Sequence, residues 1–282
     1  MNSNPLILVF VKELNSTVRI ETAALNLGMN VEIIETANQI APSDGRSLAP
    51  QTAEHLWGRG AALLEKITRI NPALIIFDLG NENIPWENWI SLITSAPATR
   101  RIPVIGFGPH VEVENLRIAK NAGAIDVVSR SGFFSNLPGL VQKYARLIDQ
   151  DELKSSCQEM LAPLAVRGIE EFNRGEYFEA HESLELAWKD DESSGRELYR
   201  AILQVAVAYY QILRGNYKGA AKMFLRLRQW IDPLPDYCRG VNVIKLRREA
   251  KAAHEALLSL GPERISEFDT SLFKPVEYQS QI

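Results

Sequence analysis

Short aliphatic runs alternate with helical stretches along the first half of the chain. The runs are LILVFV (Leu6–Val11), VEIIE (Val31–Glu35), ALIIFDLG (Ala73–Gly80), IPVIGFG (Ile102–Gly108) and AIDVVS (Ala124–Ser129). Runs this short and this rich in Val and Ile suit strands covered on both faces. Amphipathic stretches lie between them at Ser16–Leu27, Thr52–Ile70, Trp86–Thr94 and Val113–Ala122, and a last one follows at Leu137–Asp149. Five strands separated by helices predict a doubly wound, five-stranded parallel sheet over residues 1–150.

From about residue 155 the period changes. Helical segments are predicted at 157–173, 177–189, 196–214, 217–231 and 241–260, punctuated by Gly175, the DDESSG turn, Gly215-Asn216 and DPLPDYCRG. These lengths and short connections suit an antiparallel helical bundle over 155–260. The fold class is therefore α/β followed by all-α. The polar segment DQDELKSS (Asp149–Ser156) is the best boundary, and residues 261–282 read as a poorly ordered or draped C-terminal tail.

Composition narrows the classes. At 282 residues, 46% hydrophobic and 23% charged, the chain has the make-up of a soluble globular protein with room for two cores. No apolar run reaches the roughly 20 residues a membrane span needs, and MNSNPLILVFVKELN reads as a buried first strand rather than a signal peptide. Cys157 and Cys238 are the two cysteines, and neither sits in a C-x-x-C pair. They support no disulfide framework and no Cys-rich zinc site, which points to the cytoplasm. A net charge of −4 gives no global pull toward nucleic acid or anionic membrane. A basic run does extend through Lys218, Lys222, Arg226, Arg228, Arg239, Lys245, Arg247, Arg248 and Lys251. Spread over two helices and mixed with Glu249, it reads as a solvated face. Its last members, Lys245, Arg247, Arg248 and Lys251, are the candidate phosphate contacts.

One aspartate stands where an α/β sheet presents its ligand-binding edge. Asp78 ends the third predicted strand. The stretch from Ala73 to Ser131, with IPVI on the fourth strand and NAGAIDVVSR through the fifth, resembles the receiver domains of two-component signalling, and the likeness extends over about 5–148. That resemblance places Asp78 at the phosphoryl-acceptor position. Receivers also hold a divalent metal with an acidic pair after the first strand, since a hard cation needs oxygen ligands. Here that place reads Val11-Lys12-Glu13. The hydroxyl residue ending the fourth strand is replaced by Gly108, the lysine ending the fifth by Arg130, and the proline beside it by Ser131. Arginine keeps the charge but changes reach and geometry. Together these departures imply a pseudo-receiver in which Asp78 caps a loop or pairs with Arg130. The GFGPH loop (Gly106–His110) lacks phosphate-loop spacing. The long connection Ala41–Gly60 is a candidate cover for the face near Asp78, with no position fixed by the sequence.

The second half carries its chemistry in FNRGEYFEAHESLELAW, Phe172 to Trp188. At about 100° per residue, Ala180, Leu184, Ala187 and Trp188 form one arc. His181 and Glu185 fall between Trp188 and Phe178, inside the sector that faces other helices. Glu179 and Ser183 point to water, and Glu182 sits at the margin. A buried carboxylate needs a partner. The next helix offers Arg200, Gln204 and Gln211 on one stripe, with Arg200 or Arg196 to balance Glu185. FNRGEYFEAHESLELAW followed by AILQVAVAYYQILRGNYKGA resembles domain-of-unknown-function family 309 over about 165–228. Asn173, Gly175, His181, Glu182, Glu185, Trp188, Gln204, Gly215, Asn216, Gly219 and Ala220 match its pattern. Departures fall at Arg200-Ala201, where Gln-Gly is usual, and at Gln211, where a histidine often stands. The resemblance implies an all-α fold and no established reaction.

The candidate polar pocket is thus His181, Glu182, Glu185, Trp188, Arg200, Gln204 and Gln211. The two halves imply a non-catalytic cytoplasmic signalling or adaptor protein, with protein partners or self-association, no membrane, no metal and no cofactor. The alternative is a metal-binding protein or enzyme centred on His181, Glu182 and Glu185.

Overall fold

A computed structural model describes residues 4–42 and 58–279. The chain divides into two compact units, Met1–Leu147 and Ile148–Ile282.

In the first unit β1 (Leu6–Phe10), β2 (Asn30–Ile34), β3 (Leu74–Asp78), β4 (Val104–Gly108) and β5 (Asp126–Ser129) form one sheet in the order β2-β1-β3-β4-β5, every adjacent pair parallel. The helices are α1 (Leu14–Asn26), α2 (Gly58–Ile70), α3 (Trp86–Ser95), α4 (Val113–Asn121), α5 (Arg130–Ser135) and α6 (Leu137–Tyr144). Successive strand side chains point to opposite faces, so each strand feeds two cores. Leu8, Phe10, Ile75 and Phe77 pack with Leu63, Ile67, Trp89 and Ile93, from α2 and α3. Ile7, Val9, Ile76 and Phe107 pack with Ile20, Phe133 and Val141, from α1, α5 and α6. This is the doubly wound sheet that the alternating runs predict. The predicted helix Leu137–Asp149 ends earlier, at Tyr144, and the short α5 precedes it. Most of the Ala41–Gly60 connection, 43–57, lies outside the described residues.

The second unit contains α7 (Gln150–Ser156), α8 (Pro163–Asn173), α9 (Tyr177–Asp190), α10 (Glu197–Leu213), α11 (Tyr217–Ile231), the two-residue strands β6 (Tyr237–Cys238) and β7 (Val241–Asn242), and α12 (Val243–Leu260). Successive helices from α8 to α12 pack on one another. α10 is apolar on nearly all sides and buries Leu198, Ile202, Val205, Ala206, Tyr209 and Ile212. The polar stretch read as the boundary is the helix α7, capped by the Asp149 carboxylate on the N–H groups of Asp151 and Glu152. One local expectation is corrected. The segment 157–162, expected as the start of a helix, is not one, because Pro163 opens α8 at the position where a missing N–H costs nothing.

Beyond Gly261 the chain is draped rather than loose as far as Gln279. Asn173 donates to the Val276 carbonyl (3.0 Å) and accepts from the Val276 N–H (2.7 Å). The Phe273 ring stacks on Tyr209 at 4.1 Å between centroids.

The cysteines also differ from expectation. Cys157 and Cys238 form a disulfide, 81 residues apart in sequence. Tertiary folding brings together two cysteines whose spacing carries no motif. Disulfides are common in oxidising compartments and rare in the cytosol, so the cysteine count no longer argues for a cytoplasmic address. Among the described residues no helix is long and apolar enough to cross a membrane.

The approach of α8 to α9 depends on Gly168. A Cβ at that position would stand 2.7 Å from Leu184 Cγ and 3.2 Å from the Leu184 backbone nitrogen. Because backbone as well as side chain blocks the space, Gly168→Ala is expected to destabilise the unit by about 1–3 kcal/mol. Urea titration followed by far-ultraviolet circular dichroism measures this, and an unchanged midpoint would refute the close approach.

Candidate functional site

Three loops meet at the C-terminal edge of the sheet. β3 ends on Asp78, Glu13 stands just before α1, and Arg130 begins α5 directly after β5. The Arg130 guanidinium lies between the two carboxylates. One terminal nitrogen donates to both Asp78 oxygens, at 2.8 and 3.0 Å, and the other donates to Glu13 at 2.7 Å. The Gly80 N–H adds a third hydrogen bond to Asp78, at 3.0 Å. Asp78 is 3% exposed. Burial pushes its carboxyl above the ordinary value, while the Arg130 charge and the hydrogen bonds from Gly80 and Arg130 pull the other way. Asp78 therefore both caps its loop and pairs with Arg130, the two roles expected of it.

The missing hydroxyl residue has a steric counterpart. Gly108 is buried, and a Cβ there would stand 3.3 Å from Leu79 Cβ. Leu79 fills the space in which a side chain at that position would lie.

In the second unit the polar stripe is placed differently from the helical wheel. Ala180, Leu184 and Ala187 are buried as expected, but so is Ser183, while Phe178 is 50% exposed. The buried sector is rotated toward Ser183, and Gly168 lets α8 approach α9 at Leu184. His181 and Glu185 consequently sit half-buried on the flank, and Glu182 is exposed. The cation beside Glu185 is Lys189, one turn on at 3.2 Å, in place of the expected Arg200 or Arg196. The Arg196 side chain donates to the Asp191 carbonyl.

Arg200 packs between two indoles. Its guanidinium carbon is 3.8 Å from the Trp188 ring centre and 4.1 Å from that of Trp230, and its edge pairs with Glu197 at 3.3 Å. Gln204 is buried, and among the described residues its Oε1 lacks a hydrogen-bond partner, as does the Trp188 indole nitrogen. Gln211 accepts from the Asn216 amide at 2.7 Å. The seven predicted residues thus separate into a half-buried flank (His181, Glu185), an exposed carboxylate (Glu182), a stacked arginine with its indole (Arg200, Trp188), a core amide (Gln204) and a turn contact (Gln211). Among the described residues no group of three or more His, Cys, Asp or Glu side chains is placed to hold a metal ion.

Several residues of the family-like pattern have architectural roles. Gly175 and Gly215 adopt φ of +82° and +69°, the left-handed conformation that ends a helix. The Asn216 side chain caps α11 through the Gly219 N–H, and a Cβ on Gly219 would collide with Asn216.

Sequence reasoning missed the principal polar hub. Arg239, placed in the solvated basic run, is 3% exposed. It donates to Asp191, Tyr199, Glu159 and Ser193 side chains and to the Ser156 carbonyl. Its position beside Cys238, in the two-residue turn of the β6–β7 hairpin, was the available signal. The rest of the basic run is largely committed too. Lys245 pairs with Glu249 and Glu277, Lys251 with Glu255, and Arg247 donates to the Ile231 and Leu234 carbonyls, while Arg248 is exposed.

Comparison with known proteins finds a likeness for each half. The model of the family described as domain of unknown function DUF309 matches residues 165–223. An uncharacterized protein of Aquifex aeolicus (strain VF5) is 25% identical over 153 residues, which span 48% of this chain and 45% of that one. The N-terminal half matches receiver domains among solved structures. The phosphorylated cyanobacterial phytochrome response regulator RcpA is 14% identical, with a TM-score of 0.38 over 50% of this chain and 94% of its own. The receiver domain of a sensor histidine kinase from Pseudomonas aeruginosa PAO1, solved with magnesium in its active site cleft, is 15% identical, with a TM-score of 0.38 over 50% and 97%. A response regulator from Thermotoga maritima is 16% identical, with a TM-score of 0.35 over 50% and 97%.

Proposed function

We propose that this chain is a signalling or adaptor protein in which a receiver-like unit that does not accept phosphate is joined to a helical recognition domain, acting through protein partners or self-association. One observation carries the proposal: the guanidinium of Arg130 spans Asp78 and Glu13. Metal-assisted phosphoryl transfer needs carboxylate oxygens free to bind a divalent cation, and a nucleophilic carboxylate open to attack. Here an internal cation takes the place of the external one and both carboxylates are engaged. Gly108 offers no hydroxyl to the transferred group, and Leu79 occupies the space beside it. With no phosphorylation to switch it, the unit serves as a fixed surface for docking.

The test is direct. The full chain is incubated with acetyl phosphate and magnesium beside an active receiver domain as positive control, and its intact mass is measured. The mass is expected to stay unchanged while the control gains a phosphoryl group. Clean labelling at Asp78 would overturn the proposal.

A further inference from the structure

Beside the Arg130 bridge lies a cavity of about 670 Å³, within the range that takes small-molecule ligands. Its wall comes from three places at the C-terminal edge of the sheet: the first turns of α1, the loop after β4, and α5. Asp78 does not line it. The cavity is therefore separate from the acceptor position, and the Arg130 side chain stands between the two.

The chemistry of the wall is uneven. Glu13 and Arg130 both line it, but they are paired with each other, and Asp78 takes the remaining end of the guanidinium. Among the described residues, what remains is Arg19. Its guanidinium lies over the Phe134 ring, 4.2 Å from the centre, and one terminal nitrogen donates to the Phe134 carbonyl at 3.2 Å. Both contacts are to neutral groups. They orient the guanidinium plane without spending its charge, and one carbonyl leaves most of its five N–H donors open. The same wall carries other hydrogen-bonding side chains, Asn15, Ser131, Ser135 and His110. A preset arginine in such a wall is suited to a phosphate or carboxylate group, which arginine grips through two parallel hydrogen bonds.

We infer that this cavity binds a small organic anion, with its phosphate or carboxylate on Arg19 and the neighbouring hydroxyls, and the rest of the molecule filling the space toward Pro109 and His110. The receiver-like unit then carries a ligand held without a covalent bond. This inference stands whether or not Asp78 can accept phosphate, because it uses neither Asp78 nor a transfer step.

Inorganic phosphate and acetate are the probes, titrated separately into the isotope-labelled full chain at constant ionic strength, with chloride as the balancing anion. Backbone amide shifts are expected at Asn15–Arg19, His110 and Ser131–Ser135, saturating with one of the two probes or both. A response to phosphate alone assigns a phosphate-bearing ligand, and a response to acetate alone a carboxylate. Arg19→Ala and Arg19→Gln should each weaken binding about tenfold or more, the loss of one charged hydrogen-bond set. Arg19→Lys should keep part of it, and Lys12→Ala, outside the wall, should change nothing. Because Arg19 is an exposed residue, its variants are expected to retain the parent spectrum elsewhere. The intact mass of the phosphate-saturated chain separates this binding from labelling of Asp78. Absence of saturable shifts with both probes, or equal shifts in the Arg19 variants, would overturn the inference.

Discussion

An Arg239→Met chain is expected to lose about 3–5 kcal/mol of stability in the helical unit, the usual cost of breaking a buried ionic network from one side. Arg239 is the shared donor for Asp191, Tyr199, Glu159 and Ser193, and its own N–H donates to the Cys157 carbonyl at 2.6 Å. Glu159 is more than half exposed and adds little. The cost comes from stranding Asp191 and the Tyr199 hydroxyl beneath the surface. Arg239 also holds φ of +52°, and Gly240 follows at +79°. A two-residue hairpin of the type I′ class demands positive φ at both places. A long side chain tolerates that conformation here because its hydrogen bonds offset the strain.

The pH dependence has a definite sign. Burial opposes ionisation of Asp191, but the hydrogen bonds from Ser193 and Arg239 outweigh it and hold the carboxyl below its ordinary value. A depressed carboxyl contributes stability that is complete above its unfolded pKa, about 4, and is lost as pH falls through the folded value. The gap between parent and variant should therefore be full at neutral pH and shrink in acid below about pH 4. Hydrogen exchange of α10 amides reads the helical unit alone. A neutral-pH loss below about 1 kcal/mol, the range of an ordinary surface change, would show that the hub is dispensable.

Removing the disulfide should cost a comparable amount. Cys157 and Cys238 close a loop with a sequence separation of 81. The loop-entropy relation sets the upper range at about 4.5 kcal/mol, with about 2–4 typical of measured bridges. Cys157 is 6% exposed and Cys238 fully buried, so a thiol reductant should act slowly on the folded chain and quickly once it is unfolded. Urea curves of the Cys157→Ala/Cys238→Ala chain, and of the parent with and without dithiothreitol, measure the effect. Coincident curves, or two titratable thiols in the unreduced unfolded protein, would refute the bridge. Arg239 follows Cys238 directly and bonds the Cys157 carbonyl, so the two perturbations should not add.

Much of the first unit is legible in the sequence because parallel strands buried on both faces need continuous aliphatic runs. LILVFV and ALIIFDLG have no other plausible fate. The edge of the sheet is legible for a related reason: the residue that ends a strand must face the loops, so Asp78 and Arg130 could be paired on paper. Glu13 stands in the Val11-Lys12-Glu13 segment after the first strand, but its seat on the second arm of Arg130 needed α1 and α5 in place.

The second unit was legible in its helices and not in its contacts. A helical wheel ranks faces by hydrophobicity, which identified Ala180, Leu184 and Ala187. It has no knowledge of Gly168, whose missing side chain lets α8 close on Leu184, or of the packing that buries Ser183 and leaves His181 and Glu185 on the flank. Nor does charge pattern tell a surface arginine from a buried one, which is why Arg239 was grouped with Lys245 and Arg248.

By itself, then, the sequence determined the parallel sheet and the helical bundle, and it left Asp78 as a loop cap or a partner of Arg130. Each follows from periodicity or from the position of a residue at an element's end. Tertiary structure alone decided the Cys157–Cys238 bond, the Arg239 hub, the stacking of Arg200 between Trp188 and Trp230, and the Arg19 cavity. Those depend on residues tens of positions apart becoming neighbours, and distance along the chain carries no record of that until the backbone closes.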